Sequence, residues 1–168
     1  MANGQPICSA CATRLGQELE AEQGSWTEFP FAMAAGGVGA VLGAAIWAAI
    51  VVATNFEVGY VAVLVGFLSG YGVKLGAGKG RGQGLQVAAA FMAVAGLVLA
   101  KYFIFAYMVS SSMSAKGQAI AWYDPRLLQM FPKMIVALST PFDLLWILIA
   151  VSAAYRVPSP TQVALVRA

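Results

Sequence analysis

Long apolar runs alternate with short polar breaks along this chain, and the lengths of the runs predict its elements. A helix crossing a bilayer needs about 20 predominantly apolar residues, within a tolerated range of roughly 17–25. Residues 30–54, PFAMAAGGVGAVLGAAIWAAIVVAT, carry no charge and predict a first span, with Pro30 near its start where a missing amide donor is harmless. Residues 58–75 predict a second, bounded by Glu57 and by Lys74, whose long stem can snorkel. Residues 84–109 predict a third, broken only by Lys101. A fourth lies within 134–156, where Thr140, Pro141 and Asp143 read as a capped helix start and place the span at 140–157. A continuous helix from Lys133, kinked at Pro141, is the alternative.

Residues 110–139 mix serines with Trp122, Tyr123, Asp124, Pro125 and Arg126, and the stretch DPRLLQMF predicts a short helix in the headgroup zone. The expected fold is therefore an all-α integral membrane protein: four transmembrane helices, with a short interfacial helix between the third and fourth. A polar tail, 1–29, precedes the bundle and a second tail, 158–168, follows it.

Composition sharpens this. The 168 residues are 60% hydrophobic and only 10% charged, where a soluble domain carries about 25% charged residues. Ten Lys and Arg against seven Asp and Glu give a basic balance. These charges sit at the ends of apolar runs, which points to membrane orientation rather than to nucleic acid. There is no histidine, which removes His-ligated haem or chlorophyll, His-based acid–base catalysis and Ser-His-Asp triads. With no nucleophile placed beside a base, no enzyme activity is predicted. The opening segment is polar and acidic, with Glu18, Glu20, Glu22 and Glu28, unlike a basic leader with an apolar core.

The loop KLGAGKGRGQG, 74–84, interleaves glycine with Lys74, Lys79 and Arg81. A phosphate-binding loop needs a hydroxyl after its lysine, and a strand and helix around it; here glycine follows the lysine and apolar spans flank it. The loop reads instead as a basic turn that fixes topology and meets lipid headgroups. With it inside, Arg14, Lys74, Lys79, Arg81, Arg156 and Arg167 face the cytoplasm, six in all, against four outside: Lys101, Lys116, Arg126 and Lys133. Both termini are accordingly expected in the cytoplasm.

Three sets of residues could carry function. Cys8 and Cys11 form half a zinc site, which four ligands would complete only if two chains shared it; an unused thiol pair and a redox pair are the other readings. Glu57, Lys101 and Asp143 are ionisable groups that reach a similar depth near the outer face, and they predict either an ion cluster stapling helices together or a cation path. Gly36, Gly39 and Gly43 in the first span and Gly66 and Gly70 in the second are small-residue faces, expected to pack the first two helices against each other.

Three stretches of the chain also resemble a group of small bacterial multi-span membrane proteins without an assigned activity. They are GAAIW (43–47) with TNFEVGYVAVLVG (54–66), LQVAAAFMAVAGLVLAKY (85–102), and PFDLLWILIAVSAAYRVP (141–158). Some of that group carry a fuller Cys-rich segment before the first helix. The resemblance implies a helix count and a bacterial inner membrane, and it implies no reaction. The expected function is a non-catalytic membrane subunit that packs into a homo-oligomer or a larger complex. A small channel or transporter using Glu57, Lys101 and Asp143 is the alternative, and a thiol- or zinc-dependent regulator a weaker one. Membrane lipid is the expected partner, and no cofactor is identified, although grooves between such helices suit lipid or quinone.

Overall fold

The computed structural model of the protein describes residues 8, 10, 11, 13, 14, 16, 17, 28–56, 59–78, 80, 82–115, 117, 121, 123–138 and 141–159. Five helices and no strand occur among them: α1 Phe29–Thr54, α2 Val61–Gly76, α3 Gln83–Ser114, α4 Pro125–Leu138 and α5 Pro141–Arg156. The described residues between 10 and 17 are helical as well.

The arrangement follows from who touches whom. Helices α2 and α3 pack on each other and on both α1 and α5, while α1 and α5 share no contact among the described residues. The section is thus a rhombus with α2 and α3 on its short diagonal. Position 36 lies against Val73 and position 43 against Val65, so α1 and α2 run antiparallel. Positions 66 and 70 lie against Ala150 and Ala154, so α2 and α5 run parallel.

Small residues set the spacing. A Cβ at Gly39 would collide with the Leu68 carbonyl oxygen, and one at Gly43 would stand 2.9 Å from Val65 Cα. Backbones approach this closely only where side chains are absent, which recovers dispersion contacts that lipid cannot supply between helices. Gly66 and Gly70 of α2 do not face α1, as the sequence led one to expect. They meet the backbone of Ala150 and Ala154 on α5, and α2 turns Gly72 and Gly76 towards Ala35, Phe31 and Ala32 of α1 instead. The step from 66 to 72 rotates about 240° around a helix, so α2 carries two separate glycine faces.

Other boundaries also differ. Two helices, α1 and α3, are long and apolar enough to cross a membrane, rather than four. Helices α2 and α5 have 16 residues each, about 24 Å at about 1.5 Å per residue. The second helix begins at Val61 rather than at 58, because Gly59 and Tyr60 form a tight turn that receives the amides of Ala62 and Val63. The third continues past 109 to Ser114. Its serines do not break it, since the Ser112 hydroxyl donates back to the Met108 carbonyl at 2.8 Å. Among the described residues of the basic loop, the Gly78 and Gly80 amides donate to the Leu75 and Ala77 carbonyls, and Gly78 takes the left-handed conformation.

Helix α4 begins where the Asp124 carboxylate accepts the Arg126 amide at 2.8 Å. It packs on the upper part of α3, with Leu127 buried beside Phe105 and Ala106, and Phe131 edge-on to Tyr102. Arg126, Gln129 and Lys133 occupy its opposite, exposed face. Helix α4 is described to Leu138 and α5 from Pro141; residues 139 and 140, where a capped start at Thr140 would differ from one helix kinked at Pro141, lie outside the described residues.

Candidate functional site

The site that gathers most chemistry lies where α4 and the N-terminus of α5 meet α3. Lys101 Nζ stands 3.3 Å from Asp143 Oδ2 and 3.4 Å from Oδ1. Their side chains are 14% and 20% exposed, so the pair is shielded enough for its charge-assisted hydrogen bonds to contribute about 1.5–3 kcal/mol. Asp143 is in the first turn of α5, where the helix dipole favours a carboxylate. Lys101 approaches from one turn above buried Leu97, its stem apolar and its head paired.

Around this pair is a cleft of about 70 Å³, walled by Trp47 of α1, Ala62 of α2, Val94, Leu97 and Val98 of α3, Ile135 of α4, and Trp146 and Ile147 of α5. Trp47 is 4% exposed, and its Nε1 is buried without an acceptor among the described residues. An unmet buried donor of this kind costs about 1–3 kcal/mol. Trp146 has its indole pressed on Gly59, where no side chain would fit. Deeper in the bundle the cleft closes: a Cβ at Gly96 would lie 2.9 Å from Val65 and 3.1 Å from Ala40.

The structure thus brings Lys101 and Asp143 together, while Glu57 lies outside the described residues. Lys74 is half-buried in the last turn of α2, and Lys79 and Arg81 lie outside the described residues. Gly36, Gly39 and Gly43 line the α1–α2 seam, and Gly66 and Gly70 the α2–α5 seam. Sequence reasoning overlooked Trp47, Trp146 and Ile135, and also the Gly72-x-x-x-Gly76 face. A tryptophan inside an otherwise small-residue helix was the available signal for the first, and the four-residue glycine spacing for the last.

At the other end of the bundle, buried Gln86 donates from Nε2 to Ser159 Oγ at 3.0 Å, tying the start of α3 to the end of α5. Cys8 and Cys11 are exposed free thiols. A hydrogen bond from the Cys11 side chain, then one from its backbone amide at 3.3 Å, holds the Cys8 thiol below its ordinary range. The same side-chain contact pushes Cys11 up. No group of three or more metal-ligating side chains occurs among the described residues.

No family model matches the chain, and no curated protein and no solved structure matches it.

Proposed function

We propose that this chain is a non-catalytic, four-span subunit of the bacterial cytoplasmic membrane, which assembles with copies of itself or with a larger complex. One observation carries the reading: the bundle is small inside and large outside. Its interior is mostly alanine, glycine and valine, with Trp47, Leu85, Leu97, Ile104, Phe105 and Leu127 as the larger buried side chains among the described residues. Its exterior carries Phe31, Val38, Leu42 and Ile46 on α1, Phe91 and Val98 on α3, and Phe142, Leu144 and Leu148 on α5. The exposed positions of α1 include no charged side chain. Water would expel such a surface, whereas acyl chains accept it and leave close packing of small faces to hold the helices together.

Two helices are long enough to span unaided, and the short α2 and α5 are packed along them. A pair of helices about 6 Å shorter than a hydrocarbon core of about 30 Å is met by local thinning and by snorkelling of Lys74 and Arg156. Helix α4, apolar on one side and basic on the other, suits the outer headgroup layer, and the basic loop and both termini suit the cytoplasm. Assembly is supported by an exposed ladder on α1, Ala45, Ala49 and Ala53, which is a small-x-x-x-small pattern left uncovered. A transport path is the second reading, because the Lys101–Asp143 pair lines a cleft. The closure at Gly96, Val65 and Ala40 favours the subunit reading.

Light scattering on protein extracted in a mild non-ionic detergent tests the proposal. Particles holding two or more chains, or co-purified membrane partners in fixed ratio, are expected. Single 17.5 kDa chains without partners, together with ion flux in liposomes lost in Asp143→Asn, would establish the transporter instead.

A further inference from the structure

We propose that the cleft beside Lys101 and Asp143 binds the carbonyl oxygen of a neutral amphiphile that enters sideways from the membrane. The inference rests on the reading of the chain as membrane-embedded. The indole N–H of Trp47 is a donor only; Trp47 lines this cleft, and its Nε1 is buried without an acceptor among the described residues. The missing partner is therefore an oxygen with free lone pairs. Lys101 is already committed to Asp143 at 3.3 Å, so it is not left over to hold an anionic headgroup, and a neutral carbonyl is the better match.

Shape limits the ligand further. A volume of about 70 Å³ holds about five waters at the space one water requires, or a carbonyl and the few carbons next to it. Eight of the ten lining residues are apolar or aromatic, which gives water few partners and suits a ligand anchored by one polar group. The α3 wall leads outward through Val94 and Val98, which are 40% and 43% exposed. The remaining tail of the ligand would leave along that route, below Ile135 of α4. A lipid ester and a quinone ring both present the required oxygen.

Indole ¹⁵N–¹H spectra in nanodiscs test this. The Trp47 resonance is assigned by its loss in Trp47→Phe, which keeps a ring in the core and removes the N–H. In discs of diether phosphatidylcholine, which has no carbonyl, the resonance should report an unbonded N–H. A downfield shift in diester phosphatidylcholine assigns the site to lipid esters. A shift only after adding decylubiquinone to diether discs assigns it to quinones, and Trp47→Phe should then bind that quinone about tenfold more weakly, the loss of one hydrogen bond. Val98→Phe, which narrows the entrance on an exposed helix face, should abolish either shift. The proposal is overturned if the Trp47 resonance is the same in all three samples, or if it shifts as strongly in Val98→Phe as in the wild type. A chain that stays out of the disc fraction overturns the membrane reading itself.

Discussion

Replacing Gly39 by alanine, with Gly37→Ala as its control, separates close packing from helix propensity. Both glycines lie in the middle of α1, one position apart from being neighbours. An added Cβ at 37 meets nothing within 4 Å, whereas at 39 it collides with the Leu68 carbonyl oxygen, with Leu68 C at 2.9 Å and Ser69 Cα at 3.3 Å. The obstacle is backbone, which cannot rotate aside as a side chain can. Restoring ordinary contact requires α1 to withdraw by about 1 Å, since carbon atoms settle at about 3.5–4.0 Å. Such overpacking costs about 1–3 kcal/mol. Alanine returns at most about 1 kcal/mol of helix propensity, and less when the denatured state keeps its helices. Gly37→Ala gains the same propensity without the collision. Unfolding by titration of a mild-detergent micelle with dodecyl sulfate, followed by tryptophan fluorescence, should place Gly39→Ala about 1–3 kcal/mol below Gly37→Ala. Stabilities that agree to about 0.5 kcal/mol, the margin within which independent sites add, would refute the idea that this seam is set by backbone contact.

Removing Lys101 as Lys101→Met leaves Asp143 partly buried beside an apolar side chain, and should cost about 1–3 kcal/mol in the same titration; Asp143→Asn, which keeps an acceptor for Lys101, should cost less. Gln86→Leu deletes the bond to Ser159 but leaves that hydroxyl its contact with the Tyr155 carbonyl at 3.4 Å, so a loss of only about 1 kcal/mol is expected. Cys8 should be alkylated at lower pH than an ordinary thiol, because contacts from Cys11 favour its thiolate. In Cys11→Ala the side-chain donor is gone and the midpoint of the pH–rate profile should move up; an unchanged midpoint would remove that cause. A reporter fused at Gly80 should be active in the cytoplasm, and periplasmic activity would invert the proposed topology.

Some of this molecule was legible in its sequence for definite reasons. Helix α1 is a charge-free run, so its bounds could be read almost directly. Lys101 and Asp143 could be set at similar depth by counting the helical rise, about 1.5 Å per residue, from the helix ends. The end of α3 was missed because a hydropathy boundary is not a helix boundary: Ser110, Ser111, Ser112 and Ser114 are polar, yet the Ser112 hydroxyl is satisfied within its own helix. The partner of Gly66 and Gly70 was missed because a glycine face states how close a neighbour can come, not which neighbour it is. That choice depends on the rhombic arrangement, to which α5 contributes Ala150 and Ala154 from the far end of the chain. Trp47 was missed because an orphaned N–H is a property of what surrounds it.

The wide separation along the chain of the two partners in the α2–α5 seam also has a consequence in time. Helix α2 can close its Gly72 and Gly76 face on α1 as soon as the first hairpin is made, but Gly66 and Gly70 wait for residues as far along as Ala154. At about 5–20 residues per second of synthesis, that interval is roughly 4–17 s. For those seconds a nascent chain presents an uncovered glycine face to any neighbouring helix, including the α5 of a chain completed earlier on the same message. Biogenesis of this bundle is therefore a race between its own last helix and those of other copies, and crowded ribosomes would tilt it towards exchanged dimers.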